Sequence, residues 1–436
     1  MYNNSNNSLL MTFKPSHQTL TVGALLFSLF GSHTHVSAQD FETNFVNETL
    51  RLDYILAGDA THQAVYLHDL HASPTWYGKR QRLSEAPVLG NGEVVVTDSL
   101  TADTIYFNTF STLFQEWQTY PEAVDNPRSF EFVQLIPMPK QIAKVTLTLR
   151  DNYLKPVVSV THVVDPKDIL IQRHTSLPSP HTLIHEAEAG LQNPIDIAFV
   201  AEGYTQEQMP RFIEKVREAT KAIFDHEPFT SYANRFNIWA VMSPSTESGT
   251  NEPAKGVWKH TALESHFDTF HSDRYLTTQS IFRLHDALNG LPYEHIIVLV
   301  NTAEYGGGGI LNMYNLSMTE NAQFCPVVVH EFGHSFAGLA DEYAYADEPL
   351  DIYPDGIEPW EPNITRQIDF ASKWADMVGQ EVPEQNCKVG LYEGGGYMLK
   401  GIWRPTKTCR MRDNSIKNFC PVCQRAIANV IKFYTE

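Results

Sequence analysis

The chain has 436 residues, of which 42% are hydrophobic, and its 51 acidic against 32 basic residues give a formal net charge of −19. This length predicts two or three domains, and the apolar fraction allows a sizeable core. No cluster of Lys or Arg interrupts the acidic balance, so the composition predicts a soluble protein and argues against nucleic acid as a partner.

The first 38 residues differ in character from the rest. A polar, Asn-rich leader precedes an apolar run at 20–30, LTVGALLFSLF, which is too short to span a bilayer comfortably. Val36, Ser37 and Ala38 then provide the short side chains that signal peptidase requires. We predict a signal peptide at 1–38, cleavage after Ala38 and a secreted or periplasmic protein with no membrane span in the mature chain. A membrane anchor is the competing interpretation.

Residues 39–165 show short runs of alternating apolar and polar residues, separated by turn residues at even spacing. This pattern predicts an antiparallel β-sandwich as the N-terminal domain. The region contains no metal-ligand spacing, so its role is either to position the rest of the chain or to contact a glycan or cell surface. The predicted strands are 51–58, 63–70, 92–100, 104–110, 129–137, 143–151 and 157–164.

A Pro-rich polar stretch at 166–193 predicts a linker, and strands then alternate with helices from residue 194 to the end. The alternation predicts an α/β domain at 194–436, so the whole chain is predicted to be a two-domain α+β protein. The predicted strands are 195–201, 236–243 and 295–301, and the predicted helices include 206–224 and 274–288.

Four consecutive glycines, 306–309, follow the strand 295–301 and residues 302–305. They lack the Lys-Ser/Thr of a phosphate-binding loop and the spacing of a dinucleotide fingerprint. Because glycine permits a close backbone approach, we predict the rim of a cleft, where an extended peptide pairs with an exposed strand edge. A plain loop is the alternative.

The stretch at 327–343, VVVHEFGHSFAGLADEY, contains His330, Glu331 and His334 in the order H-E-x-x-H. On a helix the two histidines lie about 40° apart, so both imidazoles can reach one metal ion. Glu331 lies beside them, where its carboxylate can accept a proton from water. An apolar stripe on the opposite side predicts that this helix packs on a core and turns its polar edge to a cleft.

A catalytic zinc site generally needs a third protein ligand. The helix can end at Gly338, after which Asp341 can return a carboxylate to the metal; Glu342 is the next candidate, and Glu393 a more distant one. The metzincin spacing would place its glycine and third ligand one residue earlier, at Ala337 and Ala340. The identity of the third ligand therefore stays open.

All five cysteines lie in the last part of the chain, which predicts one or two disulfides there. Cys325 is the expected unpaired thiol. The C-x-x-C of Cys420 and Cys423 lacks a thioredoxin-like setting and a second ligand pair at zinc-site spacing, so a local structural role is predicted. The remaining two are Cys387 and Cys409.

The chain resembles the secreted bacterial IgA-specific zinc metallopeptidases and their relatives. HEFGHSFAGLADEY carries most of the resemblance, and FSTLFQEW extends it into the family's β-rich N-terminal domain. Other matching segments are IAFVAEGYT, NTAEYGGGGI, GLYEGGGY, GIWRP, TCRMRD and FCPVC. The resemblance implies a zinc endopeptidase with a zincin-like catalytic domain, His330 and His334 as ligands and Glu331 as acid and base. It does not imply that IgA is cleaved.

The resemblance also suggests that Met411 is the methionine of a turn packed beneath the metal, with an ordinary core methionine as the alternative. Tyr343 and Tyr397 are candidates for holding the oxyanion, and Tyr305 and Gly307 for contacting substrate. We predict an exported zinc endopeptidase that hydrolyses proteins or peptides with metal-activated water and a glutamate general base. The alternatives are a zinc amidase acting on a non-peptide substrate and an exported glycan- or surface-binding protein with an inactive metal site.

Overall fold

A computed structural model describes residues 41–173, 178–345 and 352–436 of the protein. The predicted signal peptide and its cleavage site after Ala38 lie outside these residues, so export stays a prediction. The described residues belong to a single compact unit. Among them, no helix combines the length and the apolar character needed to cross a bilayer.

Nine strands and three short helices make up the part of the described chain before residue 190. The strands are β1 (Phe45–Gly58), β2 (Gln63–Pro74), β3 (Gly92–Asp98), β4 (Thr104–Phe110), β5 (Arg128–Pro139), β6 (Ala143–Arg150), β7 (Pro156–Val164), β8 (Gln172–Arg173) and β9 (His181–His185). The helices are α1 (Phe41–Asn44), α2 (Leu113–Trp117) and α3 (Glu122–Asp125). Each of the seven strands predicted between residues 51 and 164 is present.

These strands form two four-stranded sheets, in the orders β5-β1-β2-β8 and β4-β3-β6-β7. All pairs are antiparallel except that of β8 with β2, which is parallel. Fully buried residues alternate with less buried ones along β3 and the first half of β6, which explains why sequence periodicity finds these strands. The range predicted as a linker holds two short strands, since β8 joins the first sheet and β9 joins a sheet of the second part.

The remaining elements lie between residues 195 and 435. The strands are β10 (Ile195–Glu202), β11 (Phe236–Val241), β12 (His295–Val300), β13 (Gly307–Ile310), β14 (Tyr314–Met318), β15 (Glu381–Val382), β16 (Cys387–Lys388), β17 (Tyr392–Gly395) and β18 (Met398–Arg404). The helices are α4 (Met209–Phe224), α5 (Ile281–Ala287), α6 (Phe324–Ala337) and α7 (Pro421–Thr435).

A six-stranded sheet with the order β13-β14-β12-β10-β11-β9 forms the centre of this part. Its four inner strands are parallel, and the two outermost strands, β13 and β9, are antiparallel to their neighbours. Every residue of β10, β12 and β14 is buried, as expected of strands covered on both faces.

The two faces of this sheet belong to different hydrophobic clusters. Ala198 and Val298 share a cluster with the N-terminal sheets, including Leu52 and Val94. Phe199 and Leu299, which point to the other face, pack with α4, α6 and α7. The N-terminal sheets and the central sheet are therefore joined by one continuous apolar core.

Two predicted helices differ from the structure. The helix predicted at 274–288 is reduced to α5, because Leu276 donates to the Gly307 carbonyl and Thr277 to that of His266. Residues 274–277 are thus held extended by distant partners, and Tyr275 forms a parallel bridge with Gly307. The helix predicted from residue 206 begins as a 3₁₀ turn, and Gln208 completes a capping box with Thr205.

The predicted disulfides are absent from the structure. All five cysteines are described, and all five are free thiols. Cys325 is half-buried, with its sulfur 3.6 Å from a carboxylate oxygen of Glu218. The sulfurs of Cys409 and Cys423 lie 3.7 Å apart.

Candidate metal centre and active-site cleft

Helix α6 carries the H-E-x-x-H segment and is oriented by its apolar side. Val328, Val329 and Phe332 are fully buried in the cluster beneath the central sheet. The helix ends at Gly338, whose φ of 59° and ψ of 32° are left-handed, a conformation that suits glycine. This reversal turns the following residues back along the helix and brings Asp341 to the histidines.

The two histidines present the same ring nitrogen to one point. Nδ1 of His330 donates to the Arg410 carbonyl at 3.0 Å, and Nδ1 of His334 donates to the Leu339 carbonyl at 2.5 Å. Because each Nδ1 carries the donated proton, Nε2 is the free ligand atom in each neutral ring. The two Nε2 atoms lie 3.0 Å apart.

Asp341 completes this group. Its Oδ1 lies 3.0 Å from Nε2 of His330 and 3.3 Å from Nε2 of His334. The three ligand atoms all lie within 4.8 Å of one another. Two imidazole nitrogens and one carboxylate oxygen are a donor set that catalytic zinc uses, so the residues present fit the metal that the motif implies.

The charges within the group reinforce this fit. Burial disfavours the imidazolium form of His334, but the Asp341 carboxylate outweighs burial and raises the pKa of His334 to about 9. Burial likewise opposes ionisation of Asp341, yet the two histidines hold the pKa of its carboxyl below the ordinary value. The Asp341 carboxylate, which stabilises the proton on His334, can equally stabilise a bound metal cation.

Tyr397 holds Asp341 in place, and Tyr343 stacks on His330. The Tyr397 hydroxyl donates to Oδ2 of Asp341 at 2.5 Å, and the Tyr343 ring lies parallel to that of His330 with centroids 6.5 Å apart. Tyr397 adopts a positive φ of 65°, which is uncommon for an aromatic residue. Its amide donates to the Tyr343 carbonyl, so the strained residue is fixed at both its backbone and its hydroxyl.

Glu331 lies beside the two histidines at the floor of the cleft. Burial raises the pKa of its carboxyl above the ordinary value, while His330 and His334 oppose that rise. A carboxyl group with a raised pKa is better suited to accept and return protons near neutral pH. The geometry and the direction of this shift are therefore consistent with the predicted acid and base role.

Strand β13 passes directly over this helix, and its glycines leave room for the active-site side chains. A Cβ atom on Gly307 would lie 2.9 Å from Oε1 of Glu331, and one on Gly309 would lie 2.4 Å from the Glu331 carbonyl oxygen. The edge at Gly307 is already used, because its carbonyl accepts from Leu276 and its amide donates to Arg274. A peptide substrate cannot pair with the strand at that residue without displacing this segment.

The structure also places the other predicted site residues. Met411 is fully buried under α6, where a Cβ atom on Gly333 would lie 2.7 Å from its sulfur. Tyr305 lies at the cleft surface, and its hydroxyl accepts from Nδ2 of Asn414 at 3.2 Å. Glu393 is exposed, and its carboxylate accepts from the Gly401 amide outside the metal group. Glu342 is buried in a separate cluster with three cysteines.

The cleft around the centre has a volume of about 1430 Å³ and is lined by both halves of the chain. Thr112, Glu116 and Tyr120 come from the N-terminal region, in and around α2. Oε2 of Glu116 accepts from the Tyr275 hydroxyl at 2.6 Å, and burial raises the pKa of Glu116 to about 7. Sequence reasoning missed these residues, although FSTLFQEW, at 110–117, contains two of them.

Comparison with known protein families identifies the class. Residues 184–385 and 383–431 match the family model described as IgA Peptidase M64, and residues 40–157 match the one described as Peptidase M64 N-terminus. No curated protein matches the chain in sequence. The protein is a metallopeptidase, in agreement with the clustered donor set.

The family model described as IgA Peptidase M64 covers more than half of the chain, and the chain therefore belongs to that family. This confirms the family resemblance predicted from the sequence motifs.

Proposed function

We propose that the protein is an exported zinc-dependent endopeptidase in which His330, His334 and Asp341 hold the metal. The observation that carries this proposal is the convergence of three ligand atoms, two imidazole nitrogens and one carboxylate oxygen, beside the Glu331 carboxylate. When bound, zinc supplies a Lewis acid that polarises the scissile carbonyl and makes water more acidic. Export rests on the predicted signal peptide at 1–38.

The roles of the protein groups follow from their positions. Glu331 accepts a proton from the attacking water and returns it to the leaving amine, a use of one carboxyl group twice in the same cycle. Tyr397 holds Asp341 through its hydroxyl, and we assign donation to the oxyanion to the neighbouring Tyr343. Met411 packs against α6 from below, which is the role of the methionine in the turn predicted beneath the metal.

The open shape of the cleft favours a peptide chain over a compact substrate. The cleft reaches from the N-terminal region around Glu116 to the loop around Asn414, and Tyr305 and Gly307 lie along it. We propose that the two four-stranded sheets form a β-sandwich that contributes this wall, and that the central sheet with α6 is zincin-like. A glycan or surface contact by residues 39–165 stays a prediction.

The decisive variant is Glu331→Gln, which keeps the size of the side chain and removes its basicity. We expect it to retain zinc at the wild-type stoichiometry and to lose cleavage of an unbiased peptide library by a factor of at least about 100. A library is needed because neither IgA nor any other substrate is assigned. Undiminished turnover by Glu331→Gln would refute the assignment of the base.

The same measurements separate the two alternative functions. Zinc in the wild-type protein without cleavage of any library peptide would favour an amidase acting on a non-peptide substrate. A protein that binds no metal at His330 and His334 would instead favour an exported binding protein. Library cleavage that is abolished by a chelator and restored by zinc would support the endopeptidase.

A further inference from the structure

A second cluster of metal-ligating side chains lies outside the centre described above. Glu342, Cys409, Cys420 and Cys423 are all buried, and one ligand atom from each lies within 4.8 Å of the others. They come from the turn after α6, from the loop before α7 and from the N-terminal end of α7. We propose that this cluster is a second, structural zinc site with three cysteine ligands and one carboxylate.

The distance between sulfurs distinguishes a metal site from a disulfide. The Sγ atoms of Cys409 and Cys423 are 3.7 Å apart. A disulfide requires about 2.05 Å, whereas two thiolates about 2.3 Å from a tetrahedral zinc ion are separated by about 3.8 Å. The remaining measured ligand pair, Cys423 Sγ and Glu342 Oε1, lies 3.2 Å apart. The cluster thus has the spacing of ligands around one small cation.

The Glu342 carboxylate supplies an independent indication of a ligand. It is fully buried, and its Oε1 accepts from Nδ2 of Asn363 at 3.0 Å. Its Oε2 has no hydrogen-bond partner among the described residues. A buried carboxylate oxygen without a partner is costly, and almost all buried polar atoms in proteins have one. A cation bound in the cluster supplies the missing partner.

The surroundings also favour the thiolate form that zinc requires. Cys420 is the N-cap of α7, where the helix dipole stabilises negative charge, and its sulfur accepts from the Cys423 amide at 3.5 Å. The Cys420 amide in turn donates to the sulfur of Cys409 at 3.2 Å. Backbone donors to thiolate ligands are a usual second layer of metal sites. Three thiolates select a soft ion such as Zn²⁺ over Ca²⁺ or Mg²⁺.

This site would tie together the parts of the chain that hold the catalytic centre. Glu342 directly follows Asp341, and its amide donates to the Met411 carbonyl at 2.8 Å. Met411 and Arg410 directly follow Cys409, and the Arg410 carbonyl orients His330. An ion held by Glu342 and Cys409 would therefore fix both segments against the start of α7. Closed four-ligand zinc sites commonly have this structural role.

The test uses the full-length protein with the catalytic ligands removed. In the double variant His330→Ala, His334→Ala we expect one zinc ion per chain, against two in the wild type, measured by elemental mass spectrometry after dialysis. X-ray absorption at the zinc edge of the double variant should show sulfur neighbours at about 2.3 Å. This result does not depend on catalysis, so it stands even where the proposed peptidase activity fails.

Cysteine variants in the same double-variant background give the matched comparison. Cys423→Ser should lower the zinc content to below one half per chain, whereas Cys387→Ser and Cys325→Ser should leave it at one. Should Cys423→Ser fail to fold, the absorption spectrum of the double variant still decides the question. Zinc without sulfur neighbours, no zinc at all, or a cystine joining two of the three cluster cysteines in the purified protein would each overturn the proposal.

Discussion

Asp341 is the residue on which the catalytic geometry depends most. One carboxylate oxygen faces both histidines, and the other accepts from Tyr397. Replacing the carboxylate with an amide in Asp341→Asn removes the negative charge from the group while keeping its size. We expect zinc affinity at this centre to fall by at least about 100-fold, measured by competition with a chromogenic chelator.

The control for this prediction is Glu393→Gln, because Glu393 was the most distant of the sequence candidates for a third ligand. Its carboxylate accepts from the Gly401 amide at 3.1 Å, a contact that the glutamine oxygen can keep. Zinc affinity should stay within about threefold of the wild type. Loss of zinc in Glu393→Gln together with its retention in Asp341→Asn would reverse the ligand assignment.

The carboxyl group of Asp196, at the start of β10, makes the stability of the protein depend on pH. Burial raises the pKa of this carboxyl to about 6, although Asn237 and Trp239 donate to it. The folded state therefore retains this proton between pH 3.8 and about 6 while the unfolded state releases it. Because of Asp196, the free energy of unfolding therefore falls as pH rises through this window.

The variant Asp196→Asn should remove that decrease. The quantity to compare is the free energy of unfolding of Asp196→Asn minus that of the wild type. We expect this difference to be about 2–3 kcal/mol larger at pH 8 than at pH 4. Urea unfolding at the two pH values measures this quantity, and pH 4 provides the internal reference. Parallel pH profiles for variant and wild type would contradict the buried-acid interpretation.

Strand β13 has glycine at three of its four positions, and this lack of side chains serves the site. Glycine at position 309 lets the strand approach α6 so closely that a Cβ atom would lie 2.4 Å from the Glu331 carbonyl oxygen and 3.1 Å from Cβ of His334. Gly309→Ala must therefore move the strand or the helix. A displacement of about 1 Å in a catalytic group is enough to lower activity by about 100-fold, and we expect a loss of that size.

The matched control is Gly390→Ala, where the nearest atom to the new Cβ would be 3.6 Å away. This variant should retain activity within about threefold of the wild type. Circular dichroism and thermal unfolding would show whether Gly309→Ala still folds, so that a site effect is distinguished from unfolding. Full activity in folded Gly309→Ala would show that the strand and helix can separate without harm.

At the scale of the whole molecule, the N-terminal sheets and the central sheet share a hydrophobic cluster. Polar contacts join the same parts, since Arg51 on β1 pairs with Asp286 on α5 at 2.6 Å and Glu131 on β5 accepts from the Phe282 amide at 2.8 Å. Separating the two regions would expose this common core to water, which is unfavourable. The two regions are therefore expected to unfold together.

We predict one cooperative thermal transition, with equal calorimetric and van't Hoff enthalpies. Differential scanning calorimetry measures both, and the transition followed by tryptophan fluorescence should coincide with that followed by circular dichroism. Two resolved transitions, or a stable fragment ending near residue 165 after limited proteolysis, would show instead that the N-terminal region folds on its own.

Local sequence determined those parts of the protein that depend on local periodicity. Alternation along residues 92–98 and 143–150 predicts β3 and β6, and the spacing of His330 and His334 predicts two ligands on one side of α6. The helix predicted from residue 274 is shortened, because hydrogen bonds to β13 and to His266 hold residues 274–277 extended. Nothing in the local pattern indicates those distant partners.

Tertiary structure alone decided which distant residues meet. The sequence left Asp341 and Glu342 as adjacent alternatives, and the reversal at Gly338 points one to the histidines and the other to three cysteines. It also brought Glu116 to the cleft wall, more than 200 residues before the histidines that it approaches. Periodicity reports which side of an element is buried, whereas a site depends on how separate elements pack, and that packing is set by the core as a whole.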